Sequence, residues 1–199
     1  MIHILTIFAQ FAVRKMMASI FMLALTSGMA MAQIPENAIT RAVTAIDANI
    51  LFIRHALAPG FGDPDHFRLD DCMTQRNLDA SGRQQARDIG AYMRLHALTF
   101  DAILSSQWCR CRDTAAEMAL GPFDIFPGLN SFFQNHADRS ETLALLDAKM
   151  AEIKSDQLVL MVTHQVVITA VTGITPRSGG MIAFNSRTGE ALRVNLPPE

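Results

Sequence analysis

Two apolar runs in this chain end in a histidine. Leu51-Phe52-Ile53 leads directly into Arg54-His55, and Leu158-Val159-Leu160-Met161-Val162-Thr163 leads into His164. Unbroken runs of large apolar residues are what a strand needs when both its faces are buried, as in the parallel sheet of an α/β protein. In such sheets ligands bind in the crevice outside the carboxyl ends of the strands. A third run, Phe100–Leu104, is followed by Ser105-Ser106-Gln107-Trp108-Cys109-Arg110. Two histidines and two arginines are therefore expected at one sheet edge, a set suited to attacking and neutralising a phosphate.

The segments between these runs read as helices and loops. A helix is predicted over Ala38–Ile46 ahead of a strand Ile50–Arg54. Ala58–Asp65, with its Pro and Gly residues, reads as a loop extending to about Asn77. Asp79 can cap a helix to about His96, with Ala86, Ile89, Gly90, Met93 and Ala97 at helical spacing. Ser105 or Ser106 can cap the helix that starts near Gln107. Phe123–Phe126 reads as a short strand. Asp138–Ile153 reads as a helix with Leu143, Leu146, Met150 and Ile153 inward. The segment from His164 to Gly173 is expected to be helical despite its Val and Thr content. Gly180–Asn185 and Ala191–Asn195 read as a closing hairpin. This alternation makes one α/β domain.

The first 32 residues are set apart from that domain. Arg14-Lys15 precede an apolar stretch from Met16 to Met29, and Ala30-Met31-Ala32 supplies a small-x-small cleavage pattern. This predicts a secretory signal over residues 1–32, a domain over 33–199, a periplasmic or secreted location, and no stable membrane insertion after cleavage. An uncleaved anchor and a start at Met16 or Met17 are the alternatives. With Arg14 and Lys15 removed from a chain of 17 basic and 19 acidic side chains, the remainder is mildly acidic. That gives no basis for binding nucleic acid, which relies on clustered Lys and Arg.

The three cysteines are Cys72, Cys109 and Cys111. In an exported protein either Cys72 pairs with one of the other two, or all three are buried thiols. Neither their spacing nor any His pair suggests a zinc site. No metal and no cofactor is expected.

Four segments together resemble the histidine phosphatase superfamily, which includes phosphoglycerate mutases and acid phosphatases. Arg54-His55 is similar to its Arg-His-Gly signature, and Asn77–Ala86 to its Leu-Thr-x-x-Gly-x-x-Gln-Ala segment. Ser105-Ser106-x-x-x-Arg110-x-x-x-Thr114-Ala115 is similar to the segment bearing the second arginine, and Val162-Thr163-His164 to that bearing the second histidine. The resemblance implies a phosphoglycerate mutase-like three-layer sandwich with a mostly parallel central sheet flanked by helices. It implies His55 as nucleophile, Arg54 and Arg110 as phosphate ligands, and His164 as a further donor to the phosphoryl group. Each motif alone is weak, and Arg-His at a strand end is commonly structural. Arg112 is expected to face solvent or an acidic neighbour. Asp71, Gln75 and Arg76 either contact substrate or merely order the long loop.

The pattern is broken in two places. Ala56 stands where the family has glycine after the nucleophile. Leu129-Asn130 is followed by Ser131 where many relatives have the glutamate that protonates the leaving oxygen, and His164 is followed by Gln165 rather than aspartate. Asp138 and Glu141 are the nearest candidates for that general acid, with Glu141 equally able to complete a helix cap on Asp138. Asp63, Asp65, or no side chain at all are the alternatives. The expectation is an exported, metal-independent phosphomonoesterase acting on a small phosphorylated substrate through a phosphohistidine. A phosphomutase, or a non-catalytic phosphate or phosphosugar binder of the same fold, are its rivals.

Overall fold

The computed structural model describes residues 37–195; the expected secretory signal lies outside the described residues. Helix α1 (Ala38–Ala45) leads into β1 (Ile50–Arg54). A long loop with one 3-10 turn (Cys72–Thr74) then runs to α2 (Ala80–Leu95). Strand β2 (Ala102–Ser105), α3 (Cys109–Met118) and β3 (Asp124–Ile125) follow. After two short 3-10 turns come α4 (Arg139–Glu152), β4 (Val159–Thr163), α5 (Gln165–Thr172), β5 (Met181–Phe184) and β6 (Ala191–Val194).

The six strands form one sheet in the order β3-β2-β4-β1-β5-β6. Strands β3, β2, β4 and β1 are mutually parallel, while β5 runs antiparallel to β1 and β6 antiparallel to β5. Alternate residues along each strand point to opposite faces, and each face is buried. Leu51, Ile53, Ile103, Leu160 and Val162 pack against residues of α1, α2 and α3. Ile50, Phe52, Leu104, Val159 and Met161 pack against residues of α4 and α5. The result is a three-layer α/β sandwich, and it explains why β1 and β4 read as continuous apolar runs.

Local chemistry sets most boundaries. Asn37 caps α1, Asp79 accepts from the Gly82 N–H at the start of α2, and Asp138 accepts from the Glu141 N–H at the start of α4. Helix α5 forms although Val and Thr are poor helix formers, because Val167 and Ile168 are buried on the sheet and Gly173 ends it in a left-handed conformation.

Three expectations need correction. Strand β2 starts at Ala102, since Asp101 instead exchanges hydrogen bonds with Leu158 at the strand's entrance. Helix α3 starts at Cys109, with Trp108 as N-cap and no side-chain cap; Ser106 is drawn away by other partners described below. Leu143 is only half-buried, and Thr142 takes the inward position. Among the described residues no helix is long and apolar enough to cross a membrane.

Candidate active site

Strand register brings the two histidines together. Arg54 of β1 pairs with Thr163 of β4, so His55 and His164 each stand one residue beyond the pairing, on adjacent central strands. The His55 N–H continues the ladder by donating to the Thr163 carbonyl at 2.9 Å. The two imidazoles lie 5.5 Å apart between centroids, inclined at 65°. Arg54, His55, Arg110 and His164 line one cleft, with Arg76, Ser131, Gln165, Val166 and the aromatic residues Phe61 and Phe133.

Each imidazole is held in one tautomer. His55 Nδ1 lies 2.8 Å from the Ala56 carbonyl. A carbonyl only accepts, so Nδ1 carries the proton and Nε2 keeps its lone pair. Burial first, and the Arg110 charge second, hold the His55 pKa well below its ordinary value. The ring is therefore neutral and nucleophilic at neutral pH. For His164 the assignment follows a relay. The Gln107 N–H donates to Asn130 Oδ1, as does the Ser106 hydroxyl at 3.1 Å. Ser106 Oγ, its proton committed, accepts from His164 Nε2 at 3.0 Å. This leaves His164 Nδ1 as an acceptor facing Arg110 Nη2 at 3.4 Å. Its pKa too is held well below the ordinary value, by burial and then Arg110.

The cleft is cationic. Arg110, 3% exposed, donates through both terminal nitrogens to the Asp63 carboxylate at 2.7 and 3.2 Å. Arg54 donates to Gln165 Oε1 at 2.7 Å and to the Pro176 carbonyl at 3.1 Å. Arg76 donates through Nε to the Gly62 carbonyl at 2.9 Å, and also to the Ala58 carbonyl. Burial, then repulsion from Arg110, lowers the pKa of Arg54, and lowers that of Arg76 to about 10; both stay charged at neutral pH. Among the described residues Asp63 is the one carboxylate hydrogen-bonded to these arginines, so positive charge is in excess. The buried Nε atoms of Arg54 and Arg110 have no hydrogen-bond partner among the described residues. Leaving such a donor unmatched costs about 1–3 kcal/mol.

The residues around the site fall into clear places. Ala56 has no left-handed backbone; its N–H donates to Thr114 Oγ1, whose hydroxyl donates to the Arg110 carbonyl. The methyl group in place of glycine is accommodated. Gly82 and Gln85 brace the chain that follows His55: a Cβ on Gly82 would lie 1.9 Å from the Leu57 carbonyl oxygen, and Gln85 Oε1 accepts from the Leu57 N–H at 2.9 Å. Arg112 is exposed. Gln75 and Asp71 order the long loop, with Gln75 Oε1 also accepting from the Cys109 N–H. Arg76 both orders the loop and lines the cleft.

The candidate general acids are not brought to the cleft. Asp138 is the N-cap of α4 and Glu141 an exposed residue of its first turn. Asp65 is exposed. Asp63 is spoken for: burial works to raise its pKa, but Arg110, the Arg76 N–H and Trp108 outweigh this and hold it below the ordinary value. It is a counter-ion, not a proton donor. Sequence reasoning missed this, together with the Asn130–Ser106 relay, because none of these contacts is local.

Cys72 and Cys109 form a disulfide with their Cα atoms 5.8 Å apart, which ties the long loop to the first residue of α3, next to Arg110. Cys111 is a buried free thiol whose pKa burial pushes up to about 12; its sulfur lies 3.5 Å from His164 Nε2. Among the described residues no group of three or more His, Cys, Asp or Glu side chains could hold a metal ion.

Both the sequence and the fold have counterparts among known proteins. Residues 50–132 match the sequence profile of the histidine phosphatase superfamily (branch 1). Among solved structures, a putative alpha-ribazole-5'-P phosphatase from Escherichia coli is similar, with 20% identity, 75% of this chain and 96% of that one covered, and a TM-score of 0.53. The protein TTHB049 from Thermus thermophilus matches at 18% identity over 74% of this chain and 99% of its own, with a TM-score of 0.51. Phosphoserine phosphatase from Entamoeba histolytica, solved with 3-phosphoglyceric acid, matches at 16% identity over 75% and 96%, with a TM-score of 0.50. At these identities the likeness is one of fold. The search of curated proteins gives no match.

Proposed function

We propose that the protein, whose residues 50–132 match the sequence profile of the histidine phosphatase superfamily (branch 1), is an exported, metal-independent phosphomonoesterase that works through a phosphohistidine on His55. The observation that carries this reading is a neutral His55, its Nε2 lone pair free, in one cleft with Arg54 and Arg110. In the first step the Nε2 lone pair forms the N–P bond as the ester P–O bond breaks. In the second, water attacks phosphorus, the N–P electron pair returns to Nε2, and inorganic phosphate leaves. Splitting the displacement in this way lowers each barrier. Arg54, Arg76 and Arg110 supply the cations that phosphoryl transfer requires. His164, neutral and with its Nδ1 lone pair facing Arg110 Nη2, helps to hold that guanidinium in the cleft.

Export is supported by the composition of residues 1–32 and by the disulfide, since such bonds persist in oxidising compartments. The substrate is a phosphorylated molecule that reaches the periplasm or the exterior.

The test is reaction with p-nitrophenyl phosphate labelled in its phosphoryl group, quenched in alkaline detergent. Wild-type protein should carry an acid-labile, base-stable phosphoryl group on His55, and His55→Ala should lose both label and turnover. A tenth or more of the activity surviving in His55→Ala would overturn the assignment. A single burst without turnover would make the protein a binder rather than an enzyme.

A further inference from the structure

The mouth of the cleft bears on what the phosphate is attached to. We propose that the site takes phosphate esters of aromatic alcohols, with Phe61 and Phe133 as the subsite for the leaving group; this rests on the phosphohistidine reading. Two independent observations point there.

The first is chemical. Among the described side chains lining the cleft none is a carboxylic acid, and the nearby carboxyl groups are occupied or remote. His164 cannot substitute, because at neutral pH its one ring proton is on Nε2 and engaged with Ser106. A leaving oxygen must therefore depart with its electron pair and take its proton from water. A phenol, with a pKa of about 10, does this far more readily than an alkyl alcohol, whose pKa is close to that of bulk water and well above the phenol's.

The second is steric. Phe61 is 91% exposed and Phe133 37% exposed, although both are large and apolar. Their rings meet edge to face with centroids 5.2 Å apart, and both line the same cleft as the two histidines. The pair is not a chance contact of loose loops. Gln134, next to Phe133, accepts from the Asp63 N–H at 2.7 Å, and Asp63 in turn holds Arg110. One short segment, Phe61-Gly62-Asp63, thus fixes both the aromatic rim and the phosphate clamp. A substrate phosphate on the arginines would carry an attached ring toward this rim, where ring–ring contacts add affinity beyond area burial.

The step balances without an acid. His55 Nε2 bonds to phosphorus, the aryl oxygen leaves as aryloxide and is protonated by water, and the proton released when water hydrolyses the phosphohistidine neutralises the hydroxide so formed.

The experiment measures kcat/KM of the full chain at pH 7 for phenyl phosphate, glycerol 2-phosphate and acetyl phosphate, the last having a good leaving group without a ring. Phenyl phosphate should exceed glycerol 2-phosphate by at least about a hundredfold, given the leaving-group difference. Phe61→Ala and Phe133→Ala should each lower the phenyl-to-acetyl ratio by about five- to tenfold, the size of one aromatic contact, and Phe61→Trp should preserve it. Glycerol 2-phosphate matching phenyl phosphate, or a ratio unmoved in both alanine variants, would overturn the proposal while acetyl phosphate turnover left the phosphatase standing. Failure of all three substrates would remove the phosphatase reading itself. A phosphotyrosyl peptide run beside phenyl phosphate tells protein-borne from free aryl phosphates.

Discussion

The Asp63 carboxylate grips Arg110 through both oxygens, at 2.7 and 3.2 Å, with both side chains about 4% exposed. Asp63 comes from the long loop after β1 and Arg110 from the first turn of α3. A buried guanidinium is costly unless its charge is matched and its donors satisfied. Here one residue of a surface connection neutralises part of the clamp and aims the rest of it.

Asp63→Asn should therefore be strongly disruptive. The amide keeps the shape but leaves Arg110 charged and unmatched, at a cost of about 3–5 kcal/mol. Thermal unfolding should shift down and the KM for p-nitrophenyl phosphate should rise. The shape of the pH–rate profile should not change, because Asp63 is not the proton donor. Selective loss of the basic limb, with stability intact, would reinstate it as one.

Gly82→Ala should damage the site from outside it. The new Cβ would fall 1.9 Å from the Leu57 carbonyl oxygen, and backbone must yield, two residues after His55. Overpacking of this kind costs about 1–3 kcal/mol or more. Turnover should drop with the melting temperature; wild-type kinetics in this variant would show that the brace does not position the nucleophile.

Stability should fall on mild acidification. Unfolded, His55 and His164 titrate near 6.5; folded, both are held well below that. Their contribution is full above pH about 6.5. Below it the unfolded chain binds the extra protons, and stability is lost as pH falls toward the folded values, by up to about 1.4 kcal/mol per pH unit for each ring. Asp63, lowered by its pairing, remains ionised across this window. Urea midpoints at pH 7.5 and 5 should differ, and less so in His55→Asn. Equal midpoints in the wild type would contradict the buried neutral histidines.

Reduction of the Cys72–Cys109 bridge should weaken substrate binding before it abolishes folding. The bond spans 37 residues and includes the whole stretch carrying Arg76; losing such a link costs about 2–5 kcal/mol. Under a thiol-free reductant the KM should rise as the loop loosens from α3. Thiol labelling of the unfolded, unreduced chain should find Cys111 alone reactive. An unchanged KM on verified reduction would show that the loop is held by Asp63 and Gln75 without the bond.

What could be read from the chain was what is written locally. Strands β1 and β4 declare themselves because burial on both faces demands unbroken apolar runs, and the first polar residues after them, His55 and His164, necessarily emerge at the sheet edge. Helices α2 and α4 were legible because Asp79 and Asp138 cap them with their own side chains. Ser106 misled for the opposite reason: a good capping residue, it serves His164 and Asn130 instead. Asp63 and Arg110 are 47 residues apart, and Asp63 sits in a loop with no periodicity to reveal where it returns. Asp138 and Glu141 lie close in sequence to Ser131, which stands where the resembled superfamily often has a glutamate, yet their positions are those of a helix start.

The pairing of Arg54 with Thr163 makes the strand ladder a ruler for the chemistry. Each residue advances a strand by about 3.3 Å and reverses the face its side chain occupies. Inserting or deleting a single residue in β1 or β4 would therefore carry one histidine to the next rung and turn it toward the wrong layer, even with every side chain of the cleft retained. Drift in length can accumulate in the connections of this domain, but the two central strands must keep their count.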